Sequence, residues 1–171
     1  AHEPLTFSEE DYDLLIRAKT ASLISGACEC GALGAAPEIR GAMARFGNAL
    51  GMAFQIIDDV LDFTEVESVT GKPTGHDLRE HKVTLPLIHA LPLLSPAQRA
   101  DVNRLMATAE PTSDQVAEVV AHVGEVGGLD YAKARAQRMA EMARGELDHL
   151  EPGPERDLLL ASVSFVTERR K

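Results

Sequence analysis

The sequence has no tryptophan, and five Phe and two Tyr bring its aromatic content to only 4%. That scarcity argues against an aromatic-rich β-sandwich and against stacking platforms for single-stranded nucleic acid. Positive charge is also short: 17 Lys and Arg stand against 27 Asp and Glu, a formal net charge of -10. A protein that grips a phosphate backbone normally carries the opposite balance, so no nucleic-acid partner is expected. No apolar run is long enough to span a bilayer, and the N-terminus lacks a signal-peptide core. No stable membrane insertion and a cytoplasmic location are therefore expected. The two cysteines, Cys28 and Cys30, would point about 200° apart on a helix, which disfavours a mutual disulfide. Two buried thiols in a reducing compartment are the expectation. Gly-x-Ser-x-Gly, P-loop and dinucleotide fingerprints are absent.

What remains is ordinary globular composition, 44% hydrophobic and 26% charged over 171 residues. That is one domain by length and enough chain for a substantial core. The pattern is helical nearly throughout. Ser8-Glu9-Glu10-Asp11 reads as a helix cap with an acid three positions on. Leu14, Leu15, Ala18, Ser22, Leu23 and Ala27 then recur at helical spacing. Ala21, Ser22, Ser25, Gly26 and Ala27 are small enough to admit a second helix closely. A long helix is predicted from near Glu38 to about Val66, with Pro37 in its first turn. Ser68 to Asp77, with two glycines and a proline, reads as a loop. Further helices are predicted to start at Thr84-Leu85-Pro86, Ser95-Pro96 and Ser113, the last ending at Gly127-Gly128. Two more follow, separated by Pro152-Gly153-Pro154. The fold class is all-α.

The chemistry concentrates in Phe54-Gln55-Ile56-Ile57-Asp58-Asp59-Val60-Leu61-Asp62-Phe63. On a helix, Asp58 and Asp62 are i,i+4 neighbours, and Asp59 and Asp62 are i,i+3 neighbours. The three carboxylates share one side, with Gln55 one turn before them. Apolar residues cover the rest of the circumference, the pattern of a buried helix. Like charges within one turn repel, and burying them unpaired costs several kcal/mol each. A divalent cation removes that cost, and carboxylate oxygens suit Mg²⁺. The alternative is a solvated acidic face. Such faces usually include lysine or arginine and lie opposite a single apolar stripe.

Lys72 and Lys82 bracket the loop after this helix, with Asp77 between them. They are candidates for holding a phosphate, or else solvated loop residues. Lys19, beside Thr20 on the first long helix, either runs its stem along apolar surface to water or points into a cavity. His76, His81 and His89 have no metal-ligand spacing and are expected in loops or at the surface.

Four pieces occur in order. Lys19-Thr20-Ala21 comes first, then Gly47-x-x-x-Gly51-x-Ala53-Phe54-Gln55-Ile56-x-Asp58-Asp59-x-x-Asp62. Gly71-Lys72-x-x-Gly75-x-Asp77-Leu78 and Lys82-x-Thr84-Leu85-Pro86-x-Ile88-x-Ala90-Leu91 follow. Together they resemble the trans-type polyprenyl diphosphate synthases, closely following the C-terminal half of the long-chain group. The resemblance implies an all-α isoprenoid-synthase helical bundle, with residues 1–171 as the C-terminal portion of a single polyprenyl-synthase domain. It implies Mg²⁺-dependent head-to-tail condensation of isopentenyl diphosphate with an allylic diphosphate. In that scheme Asp58, Asp59 and Asp62 hold the metal and Asp77 supports it. Lys19, Lys72 and Lys82 contact the diphosphate, and Thr20 and Gln55 lie near the reacting carbons.

One departure is mild: Glu80-His81 precedes Lys82, where the family usually has an acid and a glycine. A larger one is the lack of the family's first aspartate-rich motif. Glu9-Glu10-Asp11-Asp13 does not supply it. The chain alone is therefore expected not to complete the reaction, and to form a homodimer or pair with the missing N-terminal half. The alternative is a non-catalytic half-length helical subunit or interaction module of the same fold. Retention of Asp58, Asp62 and Lys72 speaks for the enzyme.

Overall fold

The computed structural model describes residues 6–64 and 75–169. Among them every regular element is helical. The order is α1 (Glu9–Ile16), a π-helical turn (Arg17–Ala21), α2 (Ser22–Gly31), α3 (Pro37–Thr64), α4 (His76–Arg79) and α5 (Leu85–Ala90). Then come α6 (Pro96–Ala107), α7 (Ser113–Glu125), α8 (Gly128–Glu146), a 3₁₀ turn (Leu147–His149) and α9 (Pro154–Glu168). No helix among the described residues is long and apolar enough to cross a membrane.

The helix starts follow their caps. The Asp11 N–H donates to Ser8 Oγ at 3.1 Å while Asp11 Oδ2 accepts the Ser8 N–H at 3.0 Å. Ser95 with Gln98, and Thr112 with Gln115, form the same reciprocal pair at α6 and α7. Each pair satisfies N–H groups that the first turn leaves without a helical acceptor. Thr112 is thus the cap, and Ser113 the first helical residue. Pro37, Pro96 and Pro154 stand first in α3, α6 and α9, where the missing N–H costs nothing.

Two compact units can be distinguished. One comprises the described residues up to Tyr12 together with Asp58–Lys133, and the other comprises Asp13–Ile57 together with the chain from Ala134. In the second, Met43, Phe46 and Ala49 of α3 pack with Ala140 and Ala143 of α8, Leu147 and Val163. Here α3 also lies hard against the π turn and α2. A Cβ on Gly51 would sit 2.6 Å from Ala21 Cα, and one on Gly47 would sit 2.7 Å from the Ile24 carbonyl oxygen. The small residues of α2 thus meet small residues of α3, and Ser25 Oγ donates to the Ala44 carbonyl at 2.8 Å.

The first unit buries Leu78, Leu85, Leu87, Val102, Leu105, Val116, Val119 and Val123. His89, half-buried rather than a loop or surface residue, stacks on Tyr131 with ring centres 3.8 Å apart. His81 is tied to the Thr108 carbonyl at 2.9 Å.

The predicted loop from Ser68 to Asp77 lies outside the described residues up to Thr74. Beyond it the expectation fails, because His76 and Asp77 open α4. Gly75, at φ 71°, makes the turn that a side chain would strain. Of the cysteines, Cys28 is half-buried and Cys30 is exposed, both as free thiols. Only Cys28 meets the buried expectation in part, and burial pushes its thiol up. The second cysteine falls on the outer side of α2.

Candidate functional site

The last turns of α3 carry the aspartate stripe. Ile56, Val60 and Phe63 are buried around it. So is the stripe itself in part: Gln55 and Asp59 are each 5% exposed, and Asp58 and Asp62 are half-buried. A solvated acidic face would leave all three carboxylates in water. Partial burial instead demands partners that stabilise charge.

Two of those partners are specific. Tyr12, from α1, donates its hydroxyl to Asp59 Oδ2 at 2.7 Å. Asp62 accepts the backbone N–H of His76 at Oδ1 (3.1 Å) and that of Asp77 at Oδ2 (3.0 Å). Its main-chain carbonyl also takes the Gly75 N–H at 2.9 Å. Asp62 therefore fixes the start of α4, and with it Asp77. Burial pushes the Asp62 carboxyl above its ordinary value, the Asp77 charge adds to the rise, and the two N–H bonds oppose it.

Asp77 passes the arrangement on. Its Oδ1 accepts from Lys82 Nζ at 3.1 Å, and Lys82 also pairs with Glu80. The Glu80 carboxylate is the main reason the Lys82 ammonium titrates above its usual value, and Lys82 in turn lowers Glu80. One connected run, Asp62–Asp77–Lys82, thus joins three of the residues singled out in the sequence.

The other unit holds Thr20 and Gln55. Thr20 Oγ1 donates to Gln55 Oε1 at 2.8 Å. Thr20 sits inside the π-helical turn, beside an exposed Lys19. Single π turns within α-helices occur frequently at functional sites. Lys72 lies outside the described residues. Tyr12 is not among the sequence candidates, and Glu80 enters the sequence reading only as part of the departure before Lys82. Tyr12 had a faint signal, because a tyrosine at helical spacing from buried Ile16 needs a polar partner for its hydroxyl.

The donor set fits Mg²⁺. It is all oxygen, with Asp59 buried and Asp58 and Asp62 half-buried. Among the described residues these aspartates do not converge as a closed three-ligand group. An Mg²⁺ ion does not need one, since it is usually held by one or two carboxylates with waters and substrate phosphates. Asp58 and Asp62, one turn apart, would supply those carboxylates.

Comparison with known proteins places the fold. The polyprenyl synthase of Caulobacter crescentus, solved with calcium and isoprenyl diphosphate, matches with a TM-score of 0.90 at 31% identity. The match covers 98% of this chain and 52% of that one. The chain has the all-α isoprenoid-synthase fold. The short chain isoprenyl diphosphate synthase of Methanothermobacter thermautotrophicus is 36% identical over 169 residues, 98% of this chain and 51% of that protein. The all-trans-nonaprenyl-diphosphate synthase of Rhodobacter capsulatus is 38% identical over the same length and shares. The polyprenyl synthetase family profile matches residues 1–123. This chain belongs to the polyprenyl synthetase family, and it spans about half the length of the curated relatives it matches.

Proposed function

We propose that the chain carries the metal-dependent allylic diphosphate site of a polyprenyl diphosphate synthase, as the C-terminal portion of one such domain. The reaction is head-to-tail condensation of isopentenyl diphosphate with an allylic diphosphate. The observation that carries this reading is the partly buried aspartate stripe among the buried apolar residues of the last turns of α3, in a chain of this family. A purely structural module gains nothing from desolvating carboxylates there.

In this reading Asp58 and Asp62 hold Mg²⁺ directly, and Asp59 completes the acidic set from the orientation its Tyr12 bond gives it. Bound there, Mg²⁺ neutralises the charge that develops on the departing diphosphate. Asp77 holds Lys82 where its ammonium can meet a phosphate oxygen, and Lys19 and Lys72 add positive charge. Thr20 fixes the Gln55 amide near the reacting carbons. The apolar residues around the stripe keep water away from a cationic intermediate.

Assembly is part of the proposal. Leu14, Leu15, Leu23 and Leu33 on and just beyond α1 and α2 are exposed, Leu23 at 76%. Several large apolar side chains left exposed along this stretch of chain suit a surface that a partner covers. A second copy of the chain, or the other half found in the relatives, would cover it. The chain alone is expected to incorporate no radiolabelled isopentenyl diphosphate with geranyl diphosphate and Mg²⁺. Complementation by the other half of a relative should restore incorporation. Product from the chain alone would overturn the half-site reading. Restoration that is indifferent to Asp58→Ala would overturn the site.

A further inference from the structure

A second cluster lies on α6 and α7, outside the residues just assigned. Asp101 comes from α6, and Glu118 and His122 come from successive turns of α7. One ligand atom from each lies within 4.8 Å of the other two. Glu118 and His122 are an i,i+4 pair, so both side chains leave α7 on one face. We propose that these three residues form a Zn²⁺-type transition-metal site that clips α6 to α7.

The geometry is close to what such an ion requires. His122 Nε2 stands 3.3 Å from Asp101 Oδ2. Two ligand atoms of a tetrahedral ion with bonds of about 2.0–2.2 Å are separated by roughly 3.3–3.6 Å. Glu118 is exposed, so its flexible side chain closes the remaining gap without moving backbone. The other groups around the cluster leave the ligand atoms available to one ion. Arg104 pairs with Asp101 through the other oxygen, Oδ1, at 3.0 Å. Gln98 Nε2 and Glu125 Oε2 face His122 Nδ1, at 3.5 and 3.9 Å. One imidazole with two carboxylates favours Zn²⁺ and its neighbours over Mg²⁺, which prefers oxygen alone. The site therefore differs in kind from the aspartate stripe of α3.

The competing account is a plain His122–Asp101 ion pair, and metal uptake separates the two. The chain, stripped with chelator, is titrated with ZnCl₂ by calorimetry in the presence of saturating Mg²⁺. An Asp58→Asn/Asp62→Asn background removes the other proposed cation site, so the outcome does not depend on the proposed prenyl-transfer function. One Zn²⁺ per chain is expected in that background, with a rise in Tm on loading. His122→Gln should weaken Zn²⁺ binding at least roughly tenfold, and so should Glu118→Gln. Glu118 is exposed, so its variant keeps the test valid if the His122 change impairs folding. Failure of the background chain to take up Zn²⁺, or an affinity in either variant unchanged from that background, would overturn the site.

Discussion

The two ends of α3 make different uses of the same helix. In its N-terminal half, Met43, Phe46 and Ala49 pack into an apolar cluster with Ala140, Ala143, Leu147 and Val163. In its C-terminal half the helix still buries Ile56, Val60 and Phe63, but it also takes Gln55 and Asp59 out of water and half-buries Asp58 and Asp62. The first half gains stability from every buried group. The second spends some, because desolvated carboxylates repel one another and need Tyr12, His76 and Asp77 to hold them. Under the proposed function, the first half packs and the second does the chemistry. Substitutions that swap those consequences would break the comparison.

The largest effect is expected at Asp58. Asp58→Ala in the complemented enzyme should lower turnover on the order of a thousandfold while leaving the thermal midpoint almost unchanged. Steady-state kinetics beside a melting curve measures both, and a stability loss as large as the activity loss would contradict the division. Phe46→Ala should do the reverse, costing about 3–5 kcal/mol of stability in chemical denaturation. Any molecules that remain folded should keep ligand affinity.

Tyr12→Phe is intermediate. It leaves Asp59 buried with one hydrogen bond fewer, for a loss of about 1.5–3 kcal/mol by denaturant titration. A neutral Tyr12→Phe would mean that Asp59 does not rely on that bond. Gly51→Ala places a methyl against Ala21 backbone and should cost about 1–3 kcal/mol. It should also disturb the Thr20–Gln55 hydrogen bond, which amide chemical shifts of Gln55 would report. The smallest effect belongs to Glu80→Ala. Its pair with Lys82 is exposed, so Tm should not move measurably. Diphosphate affinity should rise as Lys82 loses a competitor.

Much of this was legible in the sequence. The aspartate stripe could be read because a 3.6-residue period fixes which side chains share a face, and the caps could be read because Ser, Thr and Pro act locally. The resemblance to polyprenyl diphosphate synthases rested on the order of the same residues. Four features escaped for physical reasons. The π turn at Arg17–Ala21 adds a residue within a helix whose apolar pattern continues on both sides. The one-turn α4 is too short for periodicity, and its first N–H groups are satisfied by Asp62, fourteen and fifteen residues earlier in the chain. Tyr12 meets Asp59 across 47 residues, a contact only the tertiary fold can make. The Asp101–Glu118–His122 group escaped for the same reason, since its ligands come from two helices.

The central claim is that the C-terminal end of α3 binds an allylic diphosphate through a divalent cation. Calorimetric titration of the chain with geranyl diphosphate, with and without Mg²⁺, tests it most directly. Binding should appear only with Mg²⁺ and vanish in Asp58→Asn/Asp62→Asn. Binding that persists without Mg²⁺, or that survives loss of both carboxylates, would contradict it.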